Sequence, residues 1–125
     1  MTRPLHVYLA GPMTGIAEFN FPAFDAAAEA LRDRGHVVFN PAENDRDKHG
    51  FDPTGMTGHE DLTGILDRRK ALGDDLAWIC AEADVVAPLP GWQWSTGARA
   101  EVAVARALNI LAVSARGLIA GEVTL

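Results

Sequence analysis

The sequence predicts an α/β protein built on a three-layer open parallel sheet of four to five strands with helices on both faces. Short apolar segments alternate along the chain with longer segments that carry apolar residues at helical spacing. The first apolar segment is continuous rather than alternating, which is typical of a central parallel strand covered on both faces. At 125 residues the chain has the size of one domain, so we assign 1–125 to a single Rossmann-like or flavodoxin-like domain.

The first third of the chain contains a predicted strand, helix and strand. Leu5–Ala10 is the continuous apolar segment, and Ala23–Arg34 is a helix with an apolar face that ends before Gly35. His36–Asn40 is the second strand, which Pro41 ends. Two parallel strands joined by a helix form a right-handed unit almost without exception.

The middle of the chain is predicted to be a long loop followed by helix. Residues 42–58 are polar and rich in Gly, Asp and Pro, so we expect a loop that covers the site as a lid. From Leu62 to Ala83 the apolar residues recur at helical spacing, and Gly73 is expected to bend this helix or to divide it in two.

The last third completes the alternating pattern. We predict a buried strand at Asp84–Pro88, a helix of small apolar residues at Thr96–Leu108 and a final strand at Ile110–Val113. The tail from Ala115 to Leu125 has only a weak pattern, and we expect it to dock on a neighbouring subunit.

Charge and cysteine content restrict the classes of function. A net charge of -6 with mixed signs argues against binding to a nucleic acid polymer or an anionic membrane, but allows a single nucleotide in a local pocket. Cys80, the single cysteine, lies in an apolar helical pattern and is predicted to be a buried core thiol. The apolar run near the N-terminus is too short for a signal peptide, and no segment has the length of a membrane span. We therefore expect a cytoplasmic protein.

Glu101 is the acid that its local sequence explains least. It shares a helix face with Ala98, Val102 and Ala105, and no Lys or Arg lies three or four positions away. The preceding loop, Leu89–Thr96, is the kind of strand-to-helix turn that places ligands at a helix N-terminus. The alternative is a glutamate at the helix rim that reaches water or a distant Arg.

Asp75 is the second candidate acid. Its neighbour Asp74 has Lys70 four residues before it and can form a solvated pair, whereas Asp75 has only apolar helical neighbours. The alternative for Asp75 is that it caps a helix that begins after Gly73.

Two predicted loops open onto one edge of the sheet, because ligands in such folds bind at the carboxyl ends of the strands. The first strand leads into Gly11–Gly15 and the third into Gly91–Gly97. The alternatives are that the Gly-Pro turn only ends a strand, that Ser95 only caps a helix and that Trp92 only shields the site. We expect the following residues to contact substrate: Gly11, Pro12, Met13, Gly91, Trp92, Ser95 and Gly97.

The sequence lacks the signatures of metal and cofactor sites. The segment His59-Glu60-Asp61 has no second histidine at HExxH spacing, and we expect no metal. The first loop is neither a P-loop nor a GxGxxG fingerprint, so no cofactor is expected either.

Four motifs carry a resemblance to a known family. They are YLAGPMTG at Tyr8–Gly15, DDLAWI at Asp74–Ile79, ADVV at Ala83–Val86 and PGWQWSTGARAE at Pro90–Glu101. In this order they resemble the nucleoside 2-deoxyribosyltransferase-like superfamily, and within it the small, often phage-encoded and uncharacterised branch called DUF4406. The resemblance extends from about Val7 to Leu111.

The resemblance implies roles for three residues. Glu101 matches the catalytic glutamate, Asp75 the acid that acts on the nucleobase, and Tyr8 a tyrosine whose hydroxyl lies against the glutamate. Ser95 stands where the transferases typically have Asp and where the 2'-deoxynucleoside 5'-monophosphate hydrolases have a Ser directed to the phosphate. A nucleotide is therefore favoured over a nucleoside.

The implied activity is cleavage or transfer of an N-glycosidic bond through a glutamate nucleophile. The substrate would be a 2'-deoxynucleoside 5'-monophosphate or a deoxynucleoside, and the protein would be a homodimer or a larger homo-oligomer. The alternative is a non-catalytic module that binds or senses a nucleotide on the same fold.

Overall fold

The core of the protein is a four-stranded, all-parallel sheet in the order β2-β1-β3-β4. The computed structural model describes residues 3–122. The strands are β1 (His6–Ala10), β2 (Val37–Phe39), β3 (Val85–Pro88) and β4 (Leu111–Ala112). This sheet confirms the predicted open parallel fold, with the outer strands shorter than expected.

Helices cover both faces of the sheet. They are α1 (Phe21–Asp33), α2 (Pro41–His49), α3 (Arg68–Glu82), α4 (Thr96–Ala107) and α5 (Ala115–Ala120). None of the helices between residues 3 and 122 combines the length and the apolar character needed to cross a membrane.

β1 is an interior strand of the sheet, and successive side chains along it point to opposite faces. Val7 and Leu9 pack with α1 and α5, whereas Tyr8 and Ala10 pack with α3 and α4. Since Val7, Tyr8, Leu9 and Ala10 are all fully buried, the continuous apolar run of this strand reflects cover on both faces. The alternation also directs Tyr8 toward the helix that carries Glu101.

The expectation of a loop at 42–58 is wrong for its first half, which forms α2. The Asn40 side chain accepts a 3.0 Å hydrogen bond from the Ala42 amide, Pro41 occupies the first turn, and Gly50 ends the helix with a φ of +65°. This helix carries almost no apolar residues, so hydropathy alone gave no helical signal. It contacts both α1 and α3.

The segment 62–83 contains one helix, which begins later than predicted. Asp67 caps α3 by accepting a 3.2 Å hydrogen bond from the Lys70 amide, and the helix continues without division through Gly73. Asp75 therefore lies inside the helix, and the alternative that it caps one is wrong. Leu62 and Leu66 precede the helix, although both pack against the core.

At the surface, the expectation for Cys80 is corrected and the tail forms a helix. Cys80 is exposed rather than buried, because it follows the buried Ile79 on α3 and turns away from the sheet. The tail forms α5, which packs on α1 of its own chain, and Arg34 donates a 2.8 Å hydrogen bond to the Ile119 carbonyl. This packing within the chain does not test the predicted contact of the tail with a neighbouring subunit, which stays a prediction, and 123–125 lie outside the described residues.

Candidate functional site

A cavity of about 190 Å³ lies at the carboxyl edge of the sheet. Its wall combines the ends of both predicted loops with α2, α3, α4 and the segment between α2 and α3. The lining residues are Gly11, Met13, Thr14, Phe19, Phe24, Pro41, Asp45, Phe51, Leu62, Leu66, Arg68, Ala71, Leu72, Asp75, Ser95, Gly97, Ala98 and Glu101. Apolar side chains with a few charged groups are the usual lining of a small-molecule site.

Tyr8 lies behind the cavity wall and contacts Glu101, which lines the cavity. The Tyr8 hydroxyl donates a 2.6 Å hydrogen bond to Oε2 of Glu101, and both residues are buried. The Tyr8 ring is itself held by Phe39, with ring centroids 5.5 Å apart. This geometry fixes the Glu101 carboxyl group in one orientation, and the alternative that Glu101 reaches water at the helix rim is wrong.

Asp75 brings a second carboxyl group to the same cavity from α3. The residue is 8% exposed, and its Oδ1 atom has no hydrogen-bond partner in the protein. An unpaired polar atom of this kind is rare in a folded core, and it indicates a place where a ligand can bind.

Burial raises the pKa of both acids, Asp75 and Glu101, by different amounts. It raises the pKa of Asp75 to about 8, with further contributions from the negative charges of Glu101 and Asp45. Burial also raises the pKa of Glu101, to about 7, against the opposing effect of the Tyr8 hydrogen bond. The pKa of Asp75 is raised further, so of these two coupled carboxyl groups Glu101 ionises at the lower pH.

Tyr8 stays protonated throughout this range. Burial is the main cause that raises the pKa of its hydroxyl well above 10, and the charge of Glu101 adds to it. The hydroxyl is therefore a constant hydrogen-bond donor to Glu101.

Asp45 is a third acid in the cavity, which sequence reasoning missed. It lies on α2, is 4% exposed, and its Oδ1 atom also lacks a partner. Burial raises the pKa of Asp45 to about 6, while the positive charge of His49 opposes this. The only local signal was the spacing of Ala42 and Asp45, which share the buried face of a very polar helix.

Asp74, next to Asp75, points away from the cavity and joins α3 to α2. It accepts hydrogen bonds of 2.8 Å from Lys48, 2.8 Å from His49 and 3.2 Å from Asn44, and not from Lys70 as the sequence suggested. These bonds, led by that of Lys48, lower the pKa of Asp74 to about 2. The two consecutive acids therefore have opposite environments, one ionised and paired, the other buried and unpaired.

The structure brings four of the seven expected substrate contacts to the cavity wall: Gly11, Met13, Ser95 and Gly97. The Ser95 side chain also caps α4 by accepting a 3.2 Å hydrogen bond from the Ala98 amide. The other three, Pro12, Gly91 and Trp92, lie outside the wall, and Trp92 packs against the apolar cluster around Tyr8. Arg99, on the first turn of α4, is exposed.

Two loops are fastened together beside the cavity. The Gly15 amide donates to the Gly58 carbonyl at 2.8 Å, the Glu18 amide donates to the Met56 carbonyl at 2.8 Å, and the Gly55 amide donates to the Glu18 carboxylate at 2.7 Å. These bonds fasten the second half of the predicted lid to the loop after β1, and Phe51 from this half lines the cavity. The backbone of the segment between β1 and α1 is strained, since its non-glycine residues Glu18, Phe19 and Asn20 all have positive φ.

Within residues 3–122, no group of three or more His, Cys, Asp or Glu side chains is arranged to hold a metal ion. The charged and polar part of the cavity wall consists of three acids, Arg68 and the residues at the amino end of α4. Such a set suits a neutral or anionic organic ligand, with acids that give or accept protons at one end.

The fold and the site define a parallel α/β domain with an acid-lined cavity at the carboxyl ends of its strands. The family model "Domain of unknown function (DUF4406)" matches residues 5–114, and the chain belongs to this family. No curated protein matches the sequence.

Proposed function

We propose that this protein cleaves or transfers the N-glycosidic bond of a 2'-deoxynucleoside 5'-monophosphate or a deoxynucleoside. The observation that carries the proposal is the pair of buried acids in one cavity, with Glu101 oriented by Tyr8 and Asp75 holding a proton. The proposal includes kinship with the nucleoside 2-deoxyribosyltransferase-like superfamily, which the motifs of the sequence suggest.

In the first step, the ionised Glu101 carboxylate attacks the anomeric carbon of the sugar. The bond from this carbon to the base nitrogen breaks, its electron pair stays with the base, and the Asp75 proton neutralises the leaving base. The products of this step are a glycosyl ester on Glu101, a free base and an ionised Asp75. The transition state resembles an oxocarbenium ion, which the nearby carboxylate stabilises.

In the second step, water or a second nucleobase attacks the same carbon and breaks the ester. With water, its proton passes to Asp75, the sugar leaves with a hydroxyl group and Glu101 is again a carboxylate. Both acids then have their starting protonation states. Hydrolysis and transfer differ only in the acceptor.

The other end of the cavity suits a phosphate. Ser95 and Gly97 stand at the amino end of α4, where free backbone amides and the helix dipole favour an anion. The Ser95 hydroxyl retains its own proton for donation while it caps the helix. Arg68 lines the same cavity and offers a positive charge.

The experiment that tests the proposal is release of free base, followed by chromatography. The substrates are the common 2'-deoxynucleosides and their 5'-monophosphates, each with and without an added acceptor base. Release by the wild type that is lost in Glu101→Gln and retained in Glu29→Gln, at an exposed position of α1, supports the proposal. Failure of the wild type to release base from any of these substrates contradicts it.

The second candidate is a non-catalytic nucleotide-binding or sensing module. It uses the same cavity and the same acids, which then bind the nucleotide without breaking a bond. For this candidate we expect a nucleotide to raise the melting temperature without release of base.

We further propose a homodimer or larger homo-oligomer in the cytoplasm, with a small molecule as its ligand. The proposal rests on the resemblance that the sequence motifs carry, and the 91% exposure of Trp94, in the loop that leads to the site, leaves its ring available for a contact. Light scattering at several protein concentrations measures the number of subunits.

A further inference from the structure

Two acids of the cavity have an oxygen atom that nothing in the protein satisfies. These atoms are Oδ1 of Asp45 and Oδ1 of Asp75, and they are the only such buried side-chain atoms found between residues 3 and 122. Both side chains line the same cavity, and both residues are more than nine-tenths buried. A buried polar atom without a partner is costly, so this pattern indicates a ligand that supplies the missing partners.

Asp45 has no structural partner that would account for its burial. The positive groups on its own helix are engaged by other acids, since Arg46 bonds to Asp25 at 3.0 Å and both Lys48 and His49 bond to Asp74. Within residues 3–122 the Oδ1 atom of Asp45 has no hydrogen-bond partner, although Arg68 lines the same cavity, so a ligand that donates to this atom would supply the missing partner.

The two carboxyl groups differ in protonation. Burial raises the pKa of Asp45 only to about 6, so this group is mostly ionised above neutral pH and accepts hydrogen bonds. Asp75 keeps its proton to higher pH and donates one. Together they present an acceptor and a donor to the same ligand.

We propose that Asp45 is a specificity-determining residue that selects nucleobases with an exocyclic amino group next to a ring nitrogen. The proposal rests on the proposed function, because it assigns the base end of that site. In 6-aminopurines and 4-aminopyrimidines the amino group donates to Asp45 while the adjacent ring nitrogen accepts from Asp75. The corresponding oxo bases place an oxygen against the Asp45 carboxylate, so two acceptors face each other.

The test compares substrates that differ only in this group. The pairs are the 5'-monophosphates of 2'-deoxyadenosine and 2'-deoxyinosine, and those of 2'-deoxycytidine and 2'-deoxyuridine. Base release gives kcat/KM for each, and calorimetry on the same protein gives Kd. We expect the wild type to prefer the amino member of at least one pair by about 10-fold to 100-fold, the effect of one hydrogen bond to a charged group.

Asp45→Asn is the matched variant, since an amide both donates and accepts. We expect the preference for the amino member to fall at least about tenfold, because the Asn amino group can pair with an oxo group. Asp47→Asn makes the same change at an exposed position of α2 and should keep the wild-type preference. Equal use of both members by the wild type, or an unchanged preference in Asp45→Asn, overturns the proposal.

The two proposals fail in different ways. Base release without amino preference leaves the glycosidase proposal standing and rejects the assignment of Asp45. Binding that prefers the amino member without any release rejects the activity and keeps the assignment. If Asp45→Asn does not fold, equal use of both members of each pair by the wild type still overturns the assignment.

Discussion

The Tyr8 hydroxyl lies 2.6 Å from Oε2 of Glu101, although the two residues are 93 positions apart in the chain. Tyr8 comes from the central strand and Glu101 from the first half of α4, so the bond joins the sheet to the helix beside it. A bond that favours the ionised carboxylate lowers its pKa, which opposes the effect of burial.

Tyr8→Phe is expected to raise the pKa of Glu101 further, because the opposing hydrogen bond is lost. We expect kcat for base release near pH 7 to fall about 10-fold to 100-fold and the acidic limb of the pH profile to move to higher pH. Phe39→Leu disturbs the ring that stacks on Tyr8 without touching the carboxyl group, so it should lower stability and leave this limb in place. An equal loss at every pH in Tyr8→Phe contradicts the prediction.

Asp75→Asn is expected to flatten the pH dependence of stability. The pKa of Asp75 is raised in the folded state, so its contribution is fully present below the unfolded value of 3.8 and is lost as pH rises through about 8. In the wild type the folded state binds one more proton at Asp75 than the unfolded state does across this window. The free energy of unfolding therefore falls by up to about 1.4 kcal/mol for each pH unit of increase.

Urea unfolding at several pH values from 5 to 9 measures this effect. The variant should gain stability relative to the wild type as pH rises, and the difference should level off above pH 8. Asp33→Asn, at an exposed position of α1, is the control and should keep the wild-type slope. Parallel curves for wild type and Asp75→Asn would show that Asp75 ionises normally.

Asp74→Asn is expected to have the opposite pH dependence. The pKa of Asp74 is lowered to about 2, so its contribution is present above the unfolded value of 3.8 and is lost as pH falls through about 2. Because the side chain is 24% exposed and partly screened by solvent, we expect a loss of about 1 kcal/mol at pH 7. Thermal melting should show this loss at pH 7 and almost none at pH 2, and added salt should reduce it.

The sequence predicted the parts of the site that depend on local pattern. The continuous apolar run of β1 indicated a central strand, and the lack of a nearby cation singled out Glu101 within the small apolar helix that became α4. Asp45 escaped notice because α2 has no apolar stripe and buries an acid instead. Its burial depends on how α2 contacts α1 and α3, a tertiary relation of which the spacing of Ala42 and Asp45 is only a weak local sign.

Gly58→Ala is expected to loosen the contact between the two loops beside the cavity. Gly58 has a φ of +94°, and an added Cβ would collide with the Ile16 carbonyl oxygen and lie 2.6 Å from the Ile16 carbonyl carbon. The neighbouring Gly55 has a similar φ of +81°, with nothing within 4 Å of an added Cβ. Both substitutions carry the cost of a left-handed alanine, about 1 kcal/mol, but only Gly58→Ala also forces two backbone segments apart.

The comparison of these two glycines isolates the effect of the contact. We expect Gly58→Ala to reduce the free energy of unfolding by at least about 2 kcal/mol more than Gly55→Ala does, since packed backbone cannot yield as a side chain can. Hydrogen exchange should also become faster at the Gly15 amide, whose acceptor is the Gly58 carbonyl. Equal losses in the two variants, with unchanged exchange at Gly15, would mean that the two loops separate without cost and are not held together by this contact.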